Sequence, residues 1–462
     1  MLKKVLIANR GEIAVRIIRE CIDASVETVA VYSAEDSNSL HTMLAAESIC
    51  IGPAKASESY LNIENIIAAA KGLGCDAIHP GFGFLSENSS FARACENAGI
   101  KFIGPSADVI DLMGNKSTAR ETVKAKGVPV VPGSDGNVEN IQEAVEAAEK
   151  IGYPVLVKAA AGGGGRGMRK AYSKDELMSA FDEAKAEAKS CFGNGEMYIE
   201  KLIENPRHIE FQILADSFGN VIHLGERDCS IQRRNQKLVE EAPAFGLSDS
   251  LRKAMGDAAV KAAKACGYEN AGTVEFVLDR EDNFYFIEMN TRIQVEHPVT
   301  EMITGINIVK EQLKIAAGRK LSYTQDDVKF SGHAIECRIT AEKVFDNFAP
   351  NPGSVDFVHF PAGPDIRVDS ALYSGCEISP YYDSMVAKII VRGENRLEAV
   401  RKMRRALEET VISGVETTLP VQHLLMYNKD FLRGSYDTGF IDKSLDSLLE
   451  ILESAGGRNE SI

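Results

Sequence analysis

The chain has 462 residues, a length that predicts roughly three domains of about 150 residues each. Hydrophobic residues make up 44% of the sequence and charged residues 26%, so wholesale disorder and collagen-like repeats are excluded. The formal net charge is −15, whereas a protein that binds nucleic acid needs a basic face to displace counterions. We therefore expect no nucleic-acid partner.

The nine cysteines and the start of the chain bear on its compartment. The cysteines form no CxxC pair, which is typical of reduced thiols without a zinc site. The apolar stretch 5–8 is too short for a signal peptide. No run approaches the roughly 18 apolar residues of a membrane helix. These features predict a soluble, cytoplasmic protein with no membrane partner.

Strand and helix patterns alternate in the first third of the chain. In order they are strand 4–8, helix 12–21, strand 28–32, helix 63–70, strand 75–78, helix 86–98 and strand 101–103. This alternation predicts an α/β domain with a mostly parallel sheet and with ligands at the carboxyl ends of its strands. The turn at 9–12 lacks the GxGxxG fingerprint of dinucleotide-binding sites.

A Pro/Gly-rich stretch, 128–136, marks a domain boundary. The patterns that follow it are helix 141–150, strand 154–158, a glycine-rich turn at 162–167, helix 174–188 and strand 197–201. Together they predict a small α+β subdomain able to hinge as a lid. A second boundary is expected near Gly318, beyond which 332–340 and 353–360 are strand-like and 395–409 is helical.

The glycine-rich turn follows Lys158 and contains four consecutive glycines before Arg166. Glycines let backbone N–H groups come close to an anion. The spacing differs from GxxxxGK[ST], which excludes a P-loop. A flexible surface turn is the alternative, but the flanking cations favour a loop that covers phosphates.

Two alternating runs, 273–279 and 284–290, are joined by a four-residue loop and predict a β-hairpin. The spacing puts Glu275 directly opposite Glu288. Asn290 lies two residues beyond Glu288 and therefore on the same face. Two facing carboxylates repel each other unless a cation lies between them.

Two explanations fit this pair of carboxylates. They are either solvated glutamates on an exposed face or ligands of a metal. Oxygen ligands on a rigid hairpin suit Mg²⁺ or Mn²⁺. The apolar residues Val277, Phe284 and Phe286, which we expect on the same face, favour the metal.

The run after the hairpin places Arg292, Gln294 and Glu296 in one row with Asn290 if it stays extended. A cation beside a carboxylate can hold an oxyanion substrate and abstract its proton. A plain Arg–Glu salt bridge is the alternative. The donor-rich stretch 232–237 could equally be a solvated basic segment, and Arg338 an ordinary partner of Glu336.

Taken together, these segments resemble the biotin carboxylases of the ATP-grasp superfamily, over about residues 1–445. The motifs that carry the resemblance are IANRGEI (7–13), HPGFGFLSEN (79–88), KAAAGGGGRGM (158–168), ERDCSIQRR (226–234) and FIEMNTRIQVEHP (286–298). The last of these motifs distinguishes biotin-dependent carboxylation from other ATP-grasp chemistry.

The resemblance implies three domains with defined limits. It implies an α/β N-terminal domain with a parallel sheet at 1–113, an α+β ATP-grasp domain at 114–325 with a mobile lid at about 133–205, an α+β C-terminal domain at 326–445, and a polar tail at 446–462.

The resemblance also implies a role for each site residue. ATP is bound by Lys116, Lys158, Gly164, Gly165, Met168, Glu200, Lys201, Ile203, His208, Gln232, Asn235, Glu275 and Glu288. Glu275, Glu288 and Asn290 coordinate Mg²⁺ or Mn²⁺, with two ions expected. Bicarbonate is held by Lys237, Arg292, Gln294, Val295 and Glu296; the catalytic residues are Glu296, the base, with Arg292, Lys237 and Arg338, which also binds biotin.

The implied activity is the ATP-dependent carboxylation of biotin on a separate carrier protein, with bicarbonate and through carboxyphosphate. The products are carboxybiotin, ADP and phosphate, as in the first half-reaction of acetyl-CoA carboxylase and fatty acid synthesis. The alternatives are a subunit of a propionyl-CoA or pyruvate carboxylase, another ATP-grasp carboxylate ligase, or a catalytically silent nucleotide-binding partner.

The implied partners are a biotin carboxyl carrier protein, carboxyltransferase subunits and a second copy of the chain, with Arg367 near the dimer interface. The sequence ends without an Ala-Met-Lys-Met biotinylation segment, which favours a separate carrier. Two positions depart from the family pattern: Asn235 stands where many members have His, and Phe82 where others have Tyr.

Overall fold

The computed structural model describes residues 2–134, 136–159, 167–193 and 195–456. Residues 162–166 of the predicted phosphate-covering turn, with Gly164, Gly165 and Arg166, lie outside the described residues. Among the residues that are described, none of the helices combines the length and the apolar composition needed to cross a membrane.

The N-terminal part forms the parallel sheet that the sequence predicts, with strand order β3-β2-β1-β4-β5. Its elements are Lys4–Ile7 (β1), Gly11–Asp23 (α1), Glu27–Tyr32 (β2), Leu40–Leu44 (α2), Glu47–Cys50 (β3), Ile63–Gly72 (α3), Ala77–His79 (β4), Ser89–Asn97 (α4), Lys101–Phe102 (β5) and Ala107–Gly114 (α5). Val5 and Ile7 pack into one apolar cluster and Leu6 into another, so β1 is buried on both faces. That is why it appears in the sequence as a continuous apolar run.

The predicted lid is a three-stranded antiparallel sheet, β7-β6-β8, with two helices packed on it. Its elements, after helix Lys116–Lys124 (α6), are Ile141–Ile151 (α7), Val155–Ala159 (β6), Met168–Ala171 (β7), Lys174–Phe192 (α8) and Met197–Lys201 (β8). Val155, Val157 and Phe181 belong to an apolar cluster built from this segment. The lid therefore has its own core, and β7 is a strand of the lid that the sequence analysis did not predict.

A large antiparallel sheet, ordered β13-β12-β9-β10-β11-β14-β21-β19 in the described residues, connects the rest of the chain. Its central part comprises Arg207–Ala215 (β9), Val221–Arg233 (β10), Gln236–Ala242 (β11), Asp249–Ala265 (α9), Asn270–Leu278 (β12), Phe284–Asn290 (β13), His297–Thr304 (α10) and Ile308–Ala316 (α11). The C-terminal part comprises His333–Thr340 (β14), Glu342–Lys343 (β15), Ala349–Pro350 (β16), Gly353–Ser354 (β17), Phe357–His359 (β18), Ile366–Ser370 (β19), Glu377–Ile378 (β20), Met385–Gly393 (β21), Arg396–Glu409 (α12), Val411–Ser413 (β22), Leu419–Leu425 (α13), Lys429–Arg433 (α14) and Phe440–Ser454 (α15). Because β11 pairs with β14, one continuous sheet crosses the boundary predicted near residue 325.

The prediction of a polar tail from residue 446 is wrong as far as Ser454, because helix α15 continues to that residue. Leu448 is buried, and Leu445, Leu449 and Leu452 pack against the same C-terminal core. The leucine spacing of three and four residues is that of an amphipathic helix. The polar residues between these leucines hid the pattern.

The hairpin between β10 and β11 turns on Arg234 and Asn235, both with positive φ (51° and 63°). Arg233 pairs with Gln236, so the loop has two residues. A two-residue hairpin loop with positive φ at both positions favours Asn or Gly, because a branched or bulky side chain is strained there. The turn gives Asn235 a structural reason besides any contact with a ligand.

A buried carboxylate, Glu241, connects the large sheet to the C-terminal helices. It accepts hydrogen bonds from Arg396 at 2.7 and 2.8 Å, and His333 Nε2 and Tyr436 Oη lie 2.7 and 2.9 Å from its oxygens. Burial by itself raises the pKa of Glu241, but His333 and Arg396 outweigh it and lower the pKa to about 2. The charge of Glu241 therefore stabilises the fold at neutral pH.

Replacing Glu241 by Gln leaves Arg396 without a counter-charge, and we expect a loss of about 3–5 kcal/mol of unfolding free energy at pH 7. Because the folded-state pKa is depressed, the wild-type advantage is full above about pH 4.5 and declines as the pH falls towards 2. Urea unfolding between pH 7 and 3 measures both effects. The control Glu409→Gln, at a more exposed ion pair with Arg405, should change stability by under about 1 kcal/mol. A gap that does not change with pH contradicts this assignment.

Candidate active site

A cleft of about 860 Å³ lies between the lid, the large sheet and the C-terminal part. All predicted site residues that the structure describes line it: Lys116, Lys158, Met168, Glu200, Lys201, Ile203, His208, Gln232, Asn235, Lys237, Glu275, Glu288, Asn290, Arg292, Gln294, Val295, Glu296 and Arg338. Gly164 and Gly165 are outside the described residues. These residues are spread over more than 200 positions of the sequence, from Lys116 to Arg338, so the fold brings them together.

Lys237 occupies the centre of the cleft. Its Nζ donates to Glu210 at 2.6 Å, to Glu296 at 2.7 Å and to Glu275 at 3.0 Å. Burial by itself lowers the pKa of Lys237, but these three carboxylates raise it well above its ordinary value. The ammonium group therefore stays charged and offsets the mutual repulsion of the three acids.

Glu296 lies between two cations. Its second oxygen accepts from Arg338 Nη2 at 2.9 Å, and Arg338 Nε donates to Glu240 at 2.6 Å. Burial by itself raises the pKa of Glu296, but Lys237, Arg338 and Arg227 outweigh it and hold the pKa well below its ordinary value. Glu296 is therefore a carboxylate at neutral pH, the state that a general base requires.

The predicted pairing of Glu275 with Glu288 across the hairpin is confirmed by the strand register. The register shifts directly after this pair, because Ile287 is an extra residue in β13. Ile287 and Glu288 both line the cleft, whereas Phe286 packs into the core behind the hairpin. The expectation that Phe286 shares the face of Glu288 is therefore wrong. Phe284 packs against the same core.

The donor set on this hairpin fits a hard cation. Lys116 Nζ lies 3.0 Å from Glu288, and Glu275 accepts from Asn290 at 2.9 Å and from Gln294 at 3.0 Å. Carboxylate and amide oxygens suit Mg²⁺ or Mn²⁺. Cations already compensate both acids here, so the hairpin is a site for positive charge rather than a pair of solvated glutamates.

The run after Asn290 is not an extended strand, which corrects the predicted row of side chains. Strand β13 ends at Asn290, and a loop leads to helix α10 at His297. Arg292 bonds to Glu87 at 2.9 Å and to Asn290 at 3.2 Å, so it does not form the alternative salt bridge with Glu296. Glu87 follows β4, at the carboxyl edge of the N-terminal sheet, where the sequence predicts ligand-binding residues.

A fully buried arginine, Arg227, donates a hydrogen bond to Gln294 in the loop between β13 and α10. It donates to Glu210 at 2.6 Å and to Gln294 at 3.0 Å, and also to Gln212, Thr273 and Thr300. These bonds use its planar donor set in a fixed geometry. Arg227 therefore fixes Gln294 on the loop and Glu210, one of the three acids around Lys237.

The lid contributes cations at the other end of the cleft. Lys158 Nζ donates to Glu200 at 2.8 Å and lies 5.4 Å from the centre of the Tyr198 ring. Burial by itself lowers the pKa of Lys158, but Glu200 raises it above its ordinary value. Lys201 Nζ bonds to the carbonyls of Gly152 and Tyr153 within the lid. Lys158 therefore stays charged at this end of the cleft.

His208 lines the same cleft, 2.9 Å from Glu275. Arg233 and Arg234 both bond to Asn347, and both line the cleft together with Lys237, so the basic stretch 232–237 belongs to the cleft rather than to a solvated surface segment. Phe82 is half-buried and packs against an N-terminal core cluster.

Arg367, predicted near a dimer interface, makes contacts within the chain. It donates to Glu301 at 2.6 Å and to both oxygens of Asp369. Arg338, for its part, pairs with Glu240 and Glu296 rather than with Glu336.

The sequence analysis missed four side chains that hold the site: Glu87, Glu210, Arg227 and Glu240. One signal was available for Glu210. In β9 the polar residues His208, Glu210 and Gln212 alternate with buried apolar ones. A period of two in a strand buried on both faces means that the polar side chains must pair with one another or with charged ligands.

The comparison with known proteins agrees with this geometry. Residues 115–324 match the family profile "Carbamoyl-phosphate synthase L chain, ATP binding domain", so the cleft is that of an ATP-grasp ligase. Residues 1–110 match "Biotin carboxylase, N-terminal domain", and residues 336–443 match "Biotin carboxylase C-terminal domain". The chain therefore belongs to the biotin carboxylase family, ligases that use ATP and bicarbonate to carboxylate biotin.

Individual relatives match over nearly the whole chain. Biotin carboxylase 1 of Bacillus subtilis is 57% identical over 96% of this chain and 98% of its own length. The biotin carboxylase–β,γ-ATP complex from Campylobacter jejuni has a TM-score of 0.94 and 50% identity, over 96% of this chain and 99% of that one. The biotin carboxylase domain dimer of Hydrogenobacter thermophilus 2-oxoglutarate carboxylase, with MgADP and bicarbonate, has a TM-score of 0.93 and 52% identity, over 97% and 99%. The predicted three-domain fold is thereby confirmed.

Proposed function

We propose that the cleft carboxylates biotin on a separate carrier protein, with bicarbonate and ATP, through carboxyphosphate. The observation that carries this proposal is the pair of contacts made by Glu296, with Lys237 at 2.7 Å and with Arg338 at 2.9 Å. A carboxylate between two cations is a base next to an anion site. A base beside cations suits bicarbonate, because bicarbonate has one acidic proton for the base and one negative charge for the cations.

In this proposal Glu296 takes the proton of bicarbonate, and the bicarbonate oxygen attacks the γ-phosphorus of ATP as ADP leaves. Lys237, Arg292, Gln294 and the backbone of Val295 hold the anion. Bicarbonate is a weak nucleophile, so its activation depends on deprotonation and close alignment. The low pKa of Glu296 supports its part, since a base must be unprotonated before it acts.

The phosphates of ATP are assigned to Lys116 and Lys158, with Gly164 and Gly165 over them, and the adenine end to Glu200, Lys201 and Ile203. The further ATP contacts proposed are Met168, His208, Gln232 and Asn235. Glu275, Glu288 and Asn290 would hold Mg²⁺ or Mn²⁺, which neutralises charge on the phosphates when bound. Their support is that all the described members line one cleft. A lid over this cleft would keep water from carboxyphosphate.

Biotin is assigned to Arg338. Carboxyphosphate yields CO₂ and phosphate, the phosphate takes the ureido proton of biotin, and Arg338 stabilises the resulting enolate. The ureido nitrogen of the enolate then attacks CO₂ to give carboxybiotin. Hydrogen bonds to Glu240 and to Glu296 fix the position of the Arg338 guanidinium, which supports a role as a fixed cation in the cleft.

We further propose a homodimer, a biotin carboxyl carrier protein and carboxyltransferase subunits as partners, and acetyl-CoA as the final acceptor. The dimeric state of the Hydrogenobacter thermophilus domain supports the first of these. A propionyl-CoA or pyruvate carboxylase is the alternative, since carboxybiotin forms before the acceptor is used. A cytoplasmic location is supported by nine cysteines that are all free thiols.

The proposed activity predicts ADP release that requires bicarbonate and increases with free biotin. Glu296→Gln should lower this turnover by about 10²–10⁴-fold, because the base is lost, while ATP still binds. The control Glu409→Gln, on the surface, should behave as the wild type. ADP release that biotin does not stimulate would favour another ATP-grasp ligase, and full activity of Glu296→Gln would exclude Glu296 as the base.

Arg338→Gln separates the two half-steps. It should lower biotin carboxylation by about 10²-fold, because the enolate loses its charge partner. ATP cleavage in the presence of bicarbonate alone should fall less, because Lys237 and Arg227 still lower the pKa of Glu296. Carboxybiotin formation from labelled bicarbonate and phosphate release, measured on the same samples, compare the two steps. Equal losses in both would contradict the biotin role of Arg338.

A further inference from the structure

A lysine outside the predicted set, Lys388 on β21, contacts the loop 291–296, which contains the proposed bicarbonate residues and is called the bicarbonate loop below. Its side chain is fully buried. In the sheet register Lys388 lies opposite Arg338 on β14 and opposite Asp369 on β19. Residues directly opposite each other share one face of a sheet, so these side chains form a charged row. Helix α10, which follows the loop, packs on β14 and β21.

Lys388 connects three parts of the chain that are far apart in sequence. Its Nζ donates to the carbonyl of Val295 at 2.7 Å and lies 3.2 Å from Glu12 and 3.7 Å from Asp369. Glu12 belongs to the first turn of α1, in the N-terminal domain. One ammonium group therefore touches the bicarbonate loop, the N-terminal domain and the C-terminal sheet.

The Glu12 carboxylate is buried, and the Lys388 ammonium group, 3.2 Å away, is its ion-pair partner. Burial raises the pKa of Glu12, and Lys388 is the main group that opposes this. A buried ion pair contributes little net stability, because apolar residues of similar volume can replace it. Stability alone therefore gives no reason for a lysine here, but its bond to Val295 does.

We propose that Lys388 is a positioning residue for bicarbonate. In this proposal Glu12 holds Lys388 in place, so that the N-terminal domain fixes the position of the bicarbonate loop. The Val295 carbonyl shares one rigid peptide plane with the Glu296 amide. Fixing that carbonyl therefore fixes where the Glu296 side chain begins and how the Val295 backbone faces the anion. This role rests on the proposed function of Glu296 and Val295.

The test compares Lys388→Met/Glu12→Gln, which removes both buried charges and keeps the volumes, with the wild type. The KM for bicarbonate should rise about tenfold or more, because the Val295 backbone would no longer be held in the orientation that faces the anion. The KM for ATP should stay within about twofold. The control Arg392→Met, on the same strand at a more exposed pair with Asp365, should leave both values unchanged.

Amide hydrogen exchange of the segment 291–296 is a second readout, and it does not depend on turnover. Exchange in this segment should be faster in the double variant and unchanged in Arg392→Met. An unchanged bicarbonate KM with unchanged exchange would overturn the role of Lys388. A wild-type enzyme without bicarbonate-dependent ATP cleavage would instead overturn the proposed function, and the exchange result would still decide whether Lys388 holds the loop.

Glu12→Gln alone covers the case in which the double variant does not fold. The amide keeps the volume of Glu12 and removes its charge, so the anchor for Lys388 is weaker. The bicarbonate KM should rise about threefold, with faster exchange in 291–296. If both stay at the wild-type values in a folded Glu12→Gln protein, the N-terminal domain does not set the loop and the proposal fails.

Discussion

The site depends on one shared positive charge, the Lys237 ammonium group among Glu210, Glu275 and Glu296. Three buried acids at this distance would repel one another strongly, and some would take up protons. Lys237 is the largest of the charges that lower the pKa of Glu275 and of Glu296 against the effect of burial. One donor thus helps to keep both groups ionised, as the proposed metal site and the proposed base require.

Alternating charges extend from this point into the protein on both sides. On one side Glu296 contacts Arg338, which contacts Glu240. On the other side Glu210 contacts Arg227, which is fully buried. Each buried charge is compensated by its neighbour, so the cost of removing these charges from water is offset only while the whole series is intact. The large sheet supplies the register that keeps the series together, since β9, β10, β11 and β14 are neighbours in it.

Local patterns in the sequence were sufficient for much of the fold. Alternation in the first third predicts the parallel sheet, and the hairpin spacing predicts the Glu275–Glu288 pair. The extra residue Ile287 was not predictable, because a bulge leaves no mark on composition. The leucines of α15 were overlooked among polar neighbours. Partners such as Glu87 and Arg227 come from distant strands, so their contacts follow from topology and not from spacing.

The claim that Lys237 sets the state of Glu296 is tested most directly by the pH dependence of kcat/KM for bicarbonate in Lys237→Gln and in the wild type. Among the charges that lower the pKa of Glu296 against the effect of burial, Lys237 has the largest effect. Without it the pKa of Glu296 should rise, and the acid side of the residual activity profile should move to higher pH. A profile with the same acid side in both proteins would contradict the account.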